Sequence, residues 1–249
     1  MRTGVSYMGH HNPRHIETDL RAMQELGLDD VLVSAQENDF HYFTGKLSFI
    51  PPIAKDHGIR PIAVFWGALN LFGGGRSSQF LLAHPEGFQV GRNGEHRPEG
   101  CYVNPVCVAR IKEMIDRIAE SGFEGYFVDE PTPLRDCFCP SCRRRFEQYY
   151  GGDLMTAPPE QLEAFRARCV VDYVREIADY CQATHPHLET MSCLMPSDRE
   201  LWRAMAKVQS LKNLGTDIYW VNNDRDVEEM TPMVRELGAV FERQRHGPR

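Results

Sequence analysis

Short apolar runs alternate along the chain with stretches whose apolar residues recur every three or four positions, and the alternation is regular. Residues 5–8 read as a first strand, followed by a helix over 14–27 with Ile16, Leu20, Met23 and Leu26 on one face. The second strand is expected at 31–35, with a helix ending near 57–58, and the third at 61–66. A Gly-rich insertion over 67–100 then precedes a helix at 106–121 that carries Ile111, Met114, Ile115 and Ile118. Residues 126–128 form a short, continuously apolar fourth strand, as expected of a strand buried on both faces. Helices follow at 142–150 and 159–184, then a fifth strand at 190–194, a helix at 198–210, a sixth strand at 217–221 and a helix at 227–243.

Repeated strand–helix units imply parallel strands and right-handed crossovers. No Gly-x-Gly-x-x-Gly turn follows the first strand, and polar residues gather after every strand, which argues against an open doubly wound sheet. The expectation is one α/β domain over 1–249, a TIM-type (β/α) barrel that is incomplete at the C-terminus. About six strand–helix units are found where a closed barrel has eight. No Ser-, Gly- or Pro-rich linker divides the chain.

Composition narrows the partners. A net charge of −7 argues against nucleic acid or an anionic membrane, both of which need a basic footprint. No apolar run approaches the ~20 residues of a membrane span, and the first residues lack an export-signal layout. A cytoplasmic protein acting on a neutral small molecule is expected. The open edges of an incomplete barrel would be buried by self-association, so a homo-oligomer is expected as well.

In a barrel of this type the site lies at the C-terminal ends of the strands. Those ends supply Tyr7 and His10, then Glu37 and Asn38, then Trp66, then Asp129-Glu130-Pro131, and finally Trp220 and Asn222. Indole faces beside carboxylates and amides suit a polyhydroxylated ligand, with Trp66 and Trp220 as sugar platforms. Asp129 and Glu130 follow the apolar run 125–128 directly. A carboxyl group there can be held protonated by desolvation and a like-charged neighbour, as a general acid requires. Glycoside cleavage needs such an acid together with a second carboxylate. A carbohydrate-binding barrel without turnover is the second reading, and a metal-dependent hydrolase using His10 and His11 the third. Adjacent strand-end histidines point in opposite directions, which ranks the last reading lowest.

Eight cysteines are present, and three crowd one loop: Cys137-Phe138-Cys139-Pro140-Ser141-Cys142. Soft thiolates at this spacing suit a tetrahedral zinc ion, and a closed all-thiolate shell would make it structural. The nearest candidates for a fourth ligand are Cys101 and Cys107.

With Asp129-Glu130-Pro131 on the fourth strand and this cysteine loop after it, the chain resembles the clan A glycoside hydrolases. Within them it resembles the zinc-loop β-galactosidases of glycoside hydrolase family 42. The resemblance is firm over about residues 98–150. It implies that Glu130 is the acid/base and that Asp129 stands where the family has a sugar-binding Asn, changing the charge there. It also implies that Cys101, four residues before Pro105, completes a structural zinc site with Cys137, Cys139 and Cys142. The family's nucleophile belongs to a seventh strand and has no counterpart here, which leaves Glu37, a partner chain or an inactive barrel as the alternatives.

Overall fold

The computed structural model of the chain describes residues 2–72, 77–195, 198–216 and 227–246. Six strands form one parallel sheet in the order β1 (Gly4–Tyr7), β2 (Asp30–Ser34), β3 (Arg60–Val64), β6 (Gly125–Val128), β7 (Glu189–Leu194) and β8 (Asn213–Thr216). Two further strands, β4 (Phe88–Val90) and β5 (His96–Gly100), pair antiparallel as a hairpin outside that sheet. The helices are α1 (Pro13–Glu25), α2 (Glu37–His41), α3 (Thr44–Asp56), α4 (Gln79–Ala83), α5 (Pro105–Glu120), α6 (Pro140–Tyr150), α7 (Pro159–Thr184), α8 (Arg199–Met205) and α9 (Val227–His246). The parallel strands curl into a half-barrel with helices packed outside it, an incomplete TIM-type barrel as the periodicity predicts.

Burial separates central strands from edges. β2, β3, β6 and β7 are mostly buried, whereas β1 is almost wholly exposed and β8 alternates between exposed and half-buried. The middle strands can therefore be continuous apolar runs, while the edges need no such signal. The sixth strand was expected at 217–221, which lies outside the described residues; the described part of the ladder with β7 runs over Asn213–Thr216.

Helix starts follow local chemistry. Asn12 caps α1 and Asn104 caps α5, each accepting a backbone N–H and each followed by a proline whose fixed φ suits the first turn. Ile16 and Leu20 of α1, and Ile111, Met114, Ile115 and Ile118 of α5, are fully buried against the sheet.

Charge closes one end of the half-barrel. The Arg60 guanidinium reaches Asp30 Oδ1 at 2.9 Å and pairs with Glu189, while Arg2 reaches Asp30 at 2.6 Å. These residues sit at the N-terminal ends of their strands. The opposite, C-terminal end is left as the open face. The hairpin β4–β5, α4 and two short 3₁₀ turns make up the 67–100 insertion, which rises over that face beside β6.

Candidate active site and metal centre

Alternate residues of each strand point to the concave side of the half-barrel. Ser6, Ser34, Val64, Trp66, Phe127 and Asp129 thereby line one cavity of about 410 Å³ at the C-terminal end, together with Tyr7 and Cys193. That volume lies within the range of small-molecule sites. The Trp66 indole and the Asp129 carboxylate supply an apolar face and an acceptor. The Ser34 hydroxyl is buried there without a hydrogen-bond partner, which leaves it available to a ligand.

Glu130, the next residue, faces elsewhere. Its backbone is left-handed at φ 41°, so the chain turns sharply as β6 ends. Its side chain lines a second cavity of about 270 Å³ under the insertion, with Asn70, Phe72, Gln89, Glu99 and Arg135 among the other walls. Leu69 and Asn70, both at φ 51°, are the other described non-glycine residues with positive φ. All three thus lie on or beside this one cavity. Backbone strain of this kind costs ~1–3 kcal/mol per residue and persists where the surroundings enforce it. Cys193 helps to enforce it at residue 130. Its sulfur accepts the Glu130 N–H at 3.4 Å, and its S–H points to Asp129 Oδ1 at 3.5 Å. The neighbouring Ser192 hydroxyl donates to the Val128 carbonyl at 3.0 Å, so β7 holds the whole end of β6.

Beside the second cavity, Cys101, Cys137, Cys139 and Cys142 converge. All four are buried, and their sulfurs lie within 4.8 Å of one another. Cys101 and Cys142 are 3.4 Å apart and Cys139 and Cys101 are 3.6 Å apart, far beyond disulfide length. A tetrahedron of thiolates with metal–sulfur bonds of ~2.3 Å has edges of about 3.8 Å, so the spacing fits a metal ion. The Cys142 N–H donates to Cys139 Sγ at 3.5 Å, where Cys139 caps α6. Hydrogen bonds from the other sulfurs, that of Cys101 foremost, hold the Cys139 thiol far below its usual range. Sulfur contacts push Cys101 and Cys142 up. The four sulfurs are placed so that together they could hold a metal ion. Cys107, the other candidate for the fourth place, instead donates to the Gly87 carbonyl at 3.3 Å.

The remaining expected site residues divide. Trp66 and Tyr7 line the lumen cavity, although the Tyr7 hydroxyl is committed to Asp19 on α1 at 2.6 Å. Burial and that carboxylate push the Tyr7 hydroxyl above its usual range. His10 is exposed beside Asp19, 3.8 Å away, and lines neither cavity. Glu37 is 8% exposed and accepts the N–H groups of Leu69 at 2.7 Å and Phe80 at 3.3 Å. Its carboxylate therefore braces the insertion and does not reach into a cavity. Asn38 sits within α2, away from both cavities. Trp220 and Asn222 lie outside the described residues. Glu99 and Gln89 went unremarked in the sequence because hairpin residues far from a strand end carry no signal that they fold back over it.

Comparison with solved structures gives the same architecture. A β-galactosidase from the psychrophilic Marinomonas ef1 superposes over 99% of this chain with a TM-score of 0.71 at 13% identity. One from Bacillus circulans sp. alkalophilus does so over 88%, with a TM-score of 0.65 and 13% identity. The fold shared with both is the TIM-type barrel. An endo-β-1,4-mannanase from Thermotoga petrophila matches over 96% with a TM-score of 0.57 and 11% identity. The chain spans 47%, 40% and 58% of those three chains respectively, so less than two thirds of each. No family model and no curated protein sequence matches it.

Proposed function

We propose that the chain is a glycoside hydrolase in which Glu130 is the proton donor and Asp129 and Trp66 hold a sugar in the lumen cavity. The observation that carries this reading is the place of Asp129 and Glu130. They end the central strand β6 on the open face of a glycosidase-type barrel, with a cavity on each side of the peptide that joins them. In this reading a sugar ring stacks on Trp66, with its hydroxyls on Asp129 and Ser34. Glu130, set outward by its left-handed backbone, gives its proton to the glycosidic oxygen as the bond to the anomeric carbon breaks. Water supplies the hydroxyl that replaces the leaving group.

The cysteine cluster is read as a structural zinc site. Four thiolates form a closed shell with no position for substrate, so the ion would order the loop after β6 and take no part in the reaction. What it orders matters to the site, because Cys101 follows the hairpin while Cys137 follows the β6 loop. One ion would fasten the two walls of the second cavity together.

The test is a screen of 4-nitrophenyl glycosides, led by the β-galactoside and β-mannoside, with Glu130→Gln as the control. Turnover of at least one glycoside that falls in the variant is the expected result. Equal rates for the wild type and the variant on the matching disaccharide, whose basic leaving group needs the proton, would remove Glu130 from its role.

A further inference from the structure

The cavity beneath the β4–β5 hairpin has its own recognition chemistry. Gln89 is 4% exposed, and its Nε2 donates to the Gly100 carbonyl at 3.0 Å. Its Oε1 is buried and has no hydrogen-bond partner. A buried acceptor left unmade costs ~1–3 kcal/mol, so a ligand that donates to it gains more than it would in water. Among the described residues, the charges on the cavity wall are Glu99 and Glu130 against Arg135, whose Nη1 lies 4.0 Å from Glu99. One negative charge in excess disfavours a phosphate or carboxylate ligand, and the Arg135 guanidinium beside Glu99 stands where a metal cation would bind. Carboxylates, an amide oxygen and a guanidinium around the Phe72 ring select a neutral ligand rich in hydroxyl groups.

We infer that this cavity is a second sugar subsite, placed so that a chain of at least two sugars has its scissile oxygen above the Asp129–Glu130 peptide. The inference rests on the glycosidase reading. One unit occupies the lumen cavity against Trp66, the next occupies the hairpin cavity between Gln89, Glu99 and Arg135, and Glu130 stands between them. The divergence of two adjacent acids into separate cavities then has a use. Asp129 binds the sugar on one side of the bond, and Glu130 meets the oxygen that joins it to the other. The substrate is an oligosaccharide, and a monosaccharide glycoside with a small leaving group fills half the site.

Calorimetry with three monosaccharide–disaccharide pairs tests this: galactose with β-1,4-galactobiose, mannose with β-1,4-mannobiose, and glucose with cellobiose. Where a disaccharide is hydrolysed, KM and kcat/KM replace the heat. For at least one pair, the disaccharide is expected to bind about tenfold or more tightly than its monosaccharide, the worth of one hydrogen bond to a charged group. Glu99→Gln combined with Arg135→Ala should bring the disaccharide down to the monosaccharide's affinity and leave the monosaccharide unchanged. Circular dichroism and zinc content of that variant, matched to wild type, show that the hairpin is intact. Gln89→Met, which keeps the side chain's length and removes the acceptor, is the second variant and should weaken only the disaccharide. Binding in which, for all three pairs, the monosaccharide is no weaker than its disaccharide overturns the second subsite and leaves the glycosidase reading standing. So does a disaccharide advantage that survives both variants. Failure of every sugar to bind or be hydrolysed overturns both.

Discussion

Asp129 is the last residue to follow the alternation of β6, and Glu130 leaves it. The S–H of Cys193 faces the Asp129 carboxylate while its sulfur accepts the Glu130 N–H, so one buried side chain holds both acids in their separate directions. Two other buried thiols, Cys169 and Cys181, have a purely energetic role. Burial pushes each up to about 12 from an ordinary value of 9.0. The folded chain therefore keeps protons that the unfolded chain loses above pH 9. The stability they contribute is fully present below that pH and is lost as pH rises toward 12. Urea unfolding at pH 7, 9 and 10.5 should show a midpoint that falls across the last interval. Cys169→Ala, less stable at pH 7, should lose less over the same interval. A parallel fall in both proteins would contradict the assignment. At this scale the sequence was informative where a residue's neighbours in the chain are also its neighbours in space. Glu130 and the 137–142 loop were legible for that reason. Glu37 was misplaced because its partners, the N–H groups of Leu69 and Phe80, belong to a different part of the chain.

At the scale of elements, the insertion and the cysteine loop make one assembly. The Phe138 N–H donates to the Val90 carbonyl at 2.7 Å, so the hairpin is stitched to the loop after β6 even apart from a metal. The cluster of sulfurs lies between them. One zinc per chain is expected by elemental analysis of the purified protein. Cys139→Ser should lose the metal and lower the melting temperature together, because metal binding to such a site is folding free energy. Full titration of free thiols in a metal-free, equally stable native protein would contradict this. The hairpin was not legible as strands. His96–Gly100 contains Pro98 and charged residues, and its pairing is bought by the close approach of Phe88–Val90 and not by an apolar pattern of its own. The described part of β8 likewise has no apolar run, whereas β2, β3, β6 and β7 announce themselves by being mostly buried.

For the molecule as a whole, β1 and β8 are the two edges of the parallel sheet among the described residues. Val5 and Met8 at one edge are exposed, Met8 at 61%. Exposed strand edges carry backbone groups that pair readily with another chain. Self-association across these edges is the expected state, and light scattering at micromolar concentration should give a mass above that of the 28.5 kDa chain. A monodisperse monomer would count against it. The lumen cavity reaches both edges through Ser6 and Thr216, so a second copy there would also cover the sugar held against Trp66.

In the proposed function Glu130 has one chemical task, the protonation of a leaving oxygen. That task has a direct signature in how rate depends on the leaving group. Hydrolysis of a series of aryl glycosides and a matched disaccharide should be compared between wild type and Glu130→Gln, which keeps the shape but loses the transferable proton. The disaccharide and the aryl glycosides with basic leaving groups should slow by about 10²–10⁴-fold. The most activated aryl glycoside, which needs little protonation, should slow far less. A uniform loss across the whole series would contradict Glu130 as the proton donor.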